Sequence, residues 1–191
     1  MRNALIALGS NLDSPEKQLE RALALLAALP AINIRAVSPF FNTAPVGYDH
    51  QPWFVNAVCW VETPLGPKTL LNELMGIERR MGRVRDPHSR FGPRIIDLDL
   101  LMVDCQVFQS EDLTLPHPRM HQRGFVLAPI EALLNTLKTS AEASEYLAIE
   151  AWVNANLPIP LADCLSQLAP EDKTQGLKSG QIAPVRFQCL V

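Results

Sequence analysis

The sequence predicts an α+β protein with a mainly antiparallel sheet and helices packed on it. Three observations carry this. Apolar runs of strand length alternate with two amphipathic stretches of helical period. The two middle strands are joined by a loop, not by a helix. Proline or glycine closes most segments.

Taken in order, Ala4–Leu8 is a short apolar run stopped by Gly9-Ser10-Asn11, a buried strand entering a turn. Asp13 or Ser14 then offers a helix cap, Pro15 suits the first helical turn, and Glu16 favours the positive end of the dipole. Leu19, Leu23, Leu26 and Leu29 fall on one helical stripe, which Pro30 ends. Residues 32–41 predict a half-buried strand, with Ile32, Ile34 and Ala36 on one face and Asn33 and Arg35 on the other. Pro39 marks an edge position or the strand's end. Residues 42–52 are a loop by composition. Residues 53–62 are almost wholly apolar, as a strand covered on both faces is, with Asn56 as the interruption.

After a turn, Leu70, Leu74, Ile77 and Met81 predict a second helix closed by Gly82. Residues 83–94 form a basic loop, and Ile95–Val103 is a third apolar strand interrupted by Asp97 and Asp99. A proline-rich loop at 114–119 precedes a short helix or two over 121–134, broken at Pro129. The order strand, helix, strand, strand, helix, strand is the βαββαβ pattern of a ferredoxin-like sheet with helices on one face. Residues 1–135 are expected to form this core. Residues 136–191, punctuated by Pro158, Pro160, Pro170, Gly176 and Gly180, are expected to be a C-terminal appendage packed on the same domain.

Composition excludes several classes. With 191 residues, 48% hydrophobic and 19% charged, the chain is a folded domain and not a disordered segment. Its 17 basic and 20 acidic residues give a net charge of −3, so no global basic field invites nucleic acid. No apolar run approaches the roughly 18 residues of a membrane span, and Ala4–Leu8 is too short for a secretory core. The four cysteines, Cys59, Cys105, Cys164 and Cys189, have no C-x-x-C spacing and read as reduced thiols, mostly buried, of a cytoplasmic protein. A monomer is expected.

Asp97 and Asp99 are the first candidates for chemistry. Two apart on a strand, they share a face with backbones roughly 7 Å apart, a spacing able to flank two cations about 3.5–4 Å from each other. Oxygen ligands suit Mg²⁺, which binds through one or two carboxylates plus substrate phosphates. A solvated strand face is the plainer alternative. Leu101 and Val103, however, continue the same face as apolar residues, and two acids on an apolar strand are costly without a partner. Just upstream lie Arg79, Arg80, Arg83, Arg85, Arg90 and Arg94, a concentration of guanidiniums suited to phosphate. A basic solvated loop or an RNA-binding arm is the alternative there. His117, between Pro116 and Pro118 and close to Arg119 and Arg123, reads equally as a phosphate contact or a structural loop histidine. Tyr48, Trp53 and Phe54 could wall a flat slot whose edge Asn56 would read, although an isolated strand asparagine more often bonds backbone. No P-loop, dinucleotide-binding or protein-kinase signature is present.

In their order and spacing from residue 4 to about 132, these segments resemble the 6-hydroxymethyl-7,8-dihydropterin pyrophosphokinase family. The carrying motifs are Leu8-Gly9-Ser10-Asn11, Thr43-Ala44-Pro45-Val46-Gly47, Gln51-Pro52, Phe54-Val55-Asn56-Ala57, and Glu78 with Gly82-Arg83-Val84-Arg85. They continue through Arg90 to Asp99, Pro116-His117-Pro118-Arg119-Met120 and Arg123-Gly124-Phe125. The resemblance implies transfer of the β,γ-diphosphate of ATP to the pterin hydroxymethyl oxygen, releasing AMP, in folate biosynthesis. It implies that Asp97 and Asp99 hold two Mg²⁺ and that Arg83 and Arg94 contact the transferring group. Glu78, Arg85, Arg90, His117 and Arg123 would bind ATP. Thr43, Val46 and Asn56 would read the pterin edge, with Phe54 and Phe125 sandwiching its ring. Phe91 would lie on a closing loop. The sequence departs from the family at Met75, where a relative carries a polar ATP contact, in a longer stretch at 86–89, and beyond residue 135. Two rivals stand beside this reading. Another two-metal nucleotide enzyme would share the carboxylates but lack the 43–56 slot. A diverged binding module would hold pterin or RNA without catalysis.

Overall fold

The computed structural model describes residues 1–45, 50–84, 92–104, 106–139 and 143–168. Its element order is β1 (Arg2–Ser10), α1 (Pro15–Ala27), β2 (Asn33–Val37), β3 (Phe41–Thr43), β4 (Phe54–Thr63), α2 (Pro67–Arg80), β5 (Asp97–Val103), β6 (Phe108–Gln109) and β7 (Thr114–Leu115). A 3₁₀ turn (Met120–Gln122) and helices α3 (Gly124–Thr139), α4 (Ala143–Ala155) and α5 (Leu161–Gln167) follow. The main sheet runs β2-β4-β1-β5, antiparallel at every neighbour, and β3 also pairs with β4. β6 and β7 form a separate hairpin.

The predicted strand over 32–41 is one edge of β4 in two pieces. β2 pairs with residues 59–62 and β3 with residues 54–56. Pro39, lacking an N–H, lies in the gap, where the Ser38 hydroxyl accepts the Val58 N–H at 3.0 Å. Within β2 a bulge at Arg35 sets Ile34 opposite Val61 but Ala36 opposite Trp60. The two residues therefore pack on opposite faces, not the same one, because the extra residue shifts the alternation. A second bulge in β5 pairs Ile6 with Leu100 but Leu5 with Met102. It keeps Asp97, Asp99 and Leu101 on one face and turns Val103 to the other.

Helices cover both faces of the sheet, whereas the sequence pattern suggested one. On the first face, Ala4, Ile6, Leu8, Ala57, Cys59, Leu98 and Leu100 pack with Leu19, Leu23 and Leu26 of α1 and Leu70, Leu74 and Ile77 of α2. On the second, Leu5, Val58, Trp60, Leu101 and Met102 pack with α3, α4 and α5. This second layer accounts for a strand covered on both sides at 54–63. It also explains why Pro129 does not break α3. The proline costs about 3 kcal/mol in a helix interior. Val126, Leu127, Ile130, Leu133, Leu134 and Leu137 are all buried on the same helix, each worth roughly 1.5–3 kcal/mol.

Elsewhere, Ser14 precedes α1 without a side-chain cap, its backbone being left-handed at φ 63°, and Gln18 Nε2 instead donates to the Asp13 carbonyl at 3.0 Å. Gly82 closes α2 as expected, at φ +89°, where a side chain would strain the backbone. Cys59 and Cys164 are buried free thiols, and burial pushes Cys59 up to about 12; Cys105 and Cys189 lie outside the described residues. No helix of the described residues is long and apolar enough to cross a membrane.

α4 is anchored through Trp152, whose indole N–H donates to the Asp104 carbonyl at 2.7 Å. Asp104 in turn accepts the Asn3 N–H at 2.8 Å. Trp152→Phe is expected to cost about 1 kcal/mol in denaturant unfolding, and Trp152→Ala about 3–5 kcal/mol, in one cooperative transition. A separate transition for residues 143–168 would show that these helices are not integral to the core.

Candidate active site

α3 covers only part of the second face. The rest of that face, carrying Phe54, Asn56, Gly9, Asp97 and Asp99, lines an open cleft of about 910 Å³. Strand register builds it. Gly9 on the middle strand lies opposite Asn56 of β4 on one side and Asp97 of β5 on the other, and Ala7 lies opposite Asp99. A Cβ on Gly9 would meet Asn56 Oδ1 at 2.7 Å, so only glycine lets that carboxamide lie across the strand. Asn56 is buried, and its Nδ2 donates to Thr43 Oγ1 at 2.7 Å. Its partner is therefore another candidate side chain, not the backbone.

The carboxylate end is dense with charge. Arg83 bonds one oxygen of Asp97, and Arg94 Nη1 bonds the other at 2.5 Å. Arg123 reaches Asp99 Oδ2 at 3.4 Å. Burial alone would raise the Asp97 carboxyl, but the Arg83 and Arg94 guanidiniums outweigh it and hold Asp97 below the usual carboxylate range. Burial also opposes the Arg83 charge, which Asp97 and Glu78 overcome, raising it. Asp99 goes the other way. Burial and the Asp97 charge beside it push it up to about 6, against the pull of Arg123. Arg94 also stacks over the Phe54 ring at 5.6 Å and Arg123 over Phe125 at 5.4 Å.

His117 lines the same cleft. Burial, then the neighbouring Arg123 and Arg119, lower it to about 4, so it is neutral at pH 7. Its Nδ1 accepts the Arg119 N–H at 3.2 Å, which leaves Nε2 carrying the proton as a donor.

Thr43, Phe54, Asn56, Arg83, Arg94, Asp97, Asp99, His117, Arg123 and Phe125 thus converge on one cleft. Glu78 does not line it. Buried to 2% exposure, it accepts the Leu98 N–H at 2.9 Å and bonds Arg83, holding that guanidinium from behind. Arg79 and Arg80 end α2 with exposed side chains. Val46, Arg85, Arg90 and Phe91 lie outside the described residues. Sequence reasoning gave no role to Asn11, although a buried asparagine closing an apolar strand signals one. Lys68, Asn72 and the 110–114 segment also line the cleft, brought there by packing that leaves no local signal.

Two carboxylates ringed by guanidiniums, beside an aromatic and amide-lined wall, have the chemistry of a site that takes phosphate groups, as a phosphate-transferring enzyme does. The chain belongs to the 7,8-dihydro-6-hydroxymethylpterin-pyrophosphokinase family, whose family model matches residues 5–135. It is 43% identical over 137 residues to the 2-amino-4-hydroxy-6-hydroxymethyldihydropteridine pyrophosphokinase of Haemophilus influenzae, covering 72% of this chain and 84% of that protein. It is 40% identical over 130 residues to the folic acid synthesis protein fol1 of Schizosaccharomyces pombe, covering 68% of this chain but 18% of the yeast protein. The fold is similar to that of a Plasmodium falciparum HPPK-DHPS crystal structure, with a TM-score of 0.54 at 12% identity over 85% of this chain and 46% of the other. This chain is accordingly a diphosphokinase of the folate-biosynthesis type.

The raised Asp99 sets a stability prediction for the ligand-free protein. Its folded value, about 6, lies above the ordinary 3.8, so the folded state binds more protons and stability falls as pH rises from about 4 through 6. Asp99→Asn removes this dependence. The melting temperature of the variant minus that of the parent, followed from pH 4 to 7, is expected to increase with pH; a flat difference would refute the raised value.

Proposed function

We propose that the chain catalyses Mg²⁺-dependent transfer of the β,γ-diphosphate of ATP to the hydroxymethyl oxygen of 6-hydroxymethyl-7,8-dihydropterin, releasing AMP. The pterin oxygen forms a bond to the β-phosphorus, the bond from that phosphorus to the α,β-bridging oxygen breaks, and the hydroxyl proton is lost. The observation that carries this is the register at Gly9, which sets an amide-reading wall and a carboxylate pair on the two flanking strands of one open cleft.

The donor set fits the metal. Asp97 and Asp99 share a face, and among the described residues no group of three or more His, Cys, Asp or Glu forms a complete protein cage. An ion held there would complete its shell from phosphate oxygens and water, as Mg²⁺ does. Bound ions, two in the family resemblance, would neutralise phosphate charge. Arg83 and Arg94 would hold the transferring group and stabilise its charge. His117 Nε2–H and Arg123 would bind the triphosphate, a role the family resemblance also implies for Arg85 and Arg90. Thr43, Val46 and Asn56 would read the pterin edge between the rings of Phe54 and Phe125, where Arg94 and Arg123 now stack. Asp97 is a secondary candidate for receiving the hydroxyl proton.

The sheet order supports a ferredoxin-like core over 1–135, with 136–191 as an extension of the same domain. We take the enzyme as a cytoplasmic monomer acting on small molecules; the net charge of −3 speaks against nucleic acid.

Incubation with ATP, Mg²⁺ and the reduced pterin is expected to give pterin-dependent AMP without free diphosphate. ADP would indicate ordinary kinase chemistry instead. Pyrophosphate release with a nucleotidylated acceptor would indicate a nucleotidyltransferase. Asp97→Ala and Asp99→Ala are expected to lose turnover while keeping the fold. Arg94→Ala is expected to lower kcat by roughly 10²–10³, with a smaller change in pterin affinity. Near-normal turnover by either aspartate variant would remove the metal assignment.

A further inference from the structure

We propose that Asn11 is a positioning residue that ties the pterin-side wall to Arg94, so that occupation of one half of the cleft sets the geometry of the other. The inference rests on the proposed function and deepens it. Asn11 closes β1, is 2% exposed, and lies outside the cleft lining. Its carboxamide faces two segments at once. Oδ1 accepts the Arg94 N–H at 2.7 Å, while Nδ2 donates to Gln51 Oε1 at 3.1 Å and to the Pro52 carbonyl at 3.0 Å. The backbone adds a bond from the Asn11 N–H to the Arg94 carbonyl at 3.1 Å.

Any residue could supply the backbone bond. Only a carboxamide of this length supplies an acceptor for one segment and two donors for the other, and burial leaves no solvent to substitute. Both segments lead directly into the site. Two residues beyond Pro52 is Phe54, whose ring lies under the Arg94 guanidinium at 5.6 Å, and Arg94 itself bonds Asp97. A ligand that shifts the 51–54 wall therefore pulls on the backbone that carries Arg94, through one side chain that lies outside the cleft lining.

Asn11→Asp tests this, because it preserves shape and the acceptor while replacing both donors by an oxygen facing Gln51 Oε1 and the Pro52 carbonyl. Pterin affinity would be measured by calorimetry on the full chain, without and with a non-hydrolysable ATP analogue and Mg²⁺. The parent is expected to bind pterin at least about fivefold more tightly with the analogue present. In Asn11→Asp that ratio is expected to approach one, with kcat reduced and the affinity for the ATP analogue in the absence of pterin changed by less than about threefold. A residue that merely stabilised the turn would lower the melting temperature and leave the ratio intact, which would overturn the proposal. Gln51→Ala removes one of the two acceptors of Asn11 Nδ2 and is expected to reduce the ratio partially; should Asn11→Asp fail to fold, an unchanged ratio in Gln51→Ala overturns the proposal by itself. A parent protein that binds both ligands with no coupling overturns the proposal and leaves the function standing. A parent that binds no pterin overturns the function.

Discussion

The site depends on the antiparallel register of three strands at a single glycine. Gly9 faces Asn56 on one side and Asp97 on the other. Because strand side chains alternate with period two, a slip of one residue in either pairing would turn the asparagine or the two aspartates into the opposite core. The pattern of Leu5 and Ala7 on one face and Ala4, Ile6 and Leu8 on the other guards against that slip, since each set packs in its own cluster. The packing of the sheet and the chemistry of the cleft are thus consequences of the same alternation.

Electrostatics at the carboxylate end show the tension between folding and function. Three arginines and two aspartates are drawn together on one wall of the cleft. Asp97, bonded by two guanidiniums, remains charged. Asp99, with one more distant arginine and a charged neighbour, is pushed towards neutrality. Such a cluster is weak support for the fold by itself, because desolvation offsets much of the attraction between buried ions. Its geometry is held by groups behind it, with Glu78 bridging Arg83 and the first amide after Asp97. The apolar layers on both faces carry the cost. Preorganised charge of this kind is what stabilises a transferring phosphate.

Much was legible along the chain. The two amphipathic helices, the doubly covered strand with its lone asparagine, and the acids of the last strand were all readable from periodicity. So was the basic concentration before that strand, though not its sorting. Arg83 and Arg94 reach Asp97, whereas Arg79 and Arg80 end α2 with exposed side chains. The bulges at Arg35 and Leu101 were invisible, because an extra residue looks like any other until its partner strand is known. Pro129 misled for a related reason, since its penalty is local while the burial that outweighs it is distant.

The amino-acid sequence by itself determined the strand and helix periods, the order of elements as far as the last long strand and the identity of the chemical groups, because these follow from composition and spacing along one chain; its motifs resemble those of the family to which it belongs. Only the tertiary structure decided that helices cover both faces, that Glu78 supports Arg83 from behind instead of facing the cleft, that His117 is neutral with its proton on Nε2, and that Asn11 joins two loops. Each of these turns on burial and on partners tens of residues away, quantities that exist only once the sheet has brought distant segments into contact.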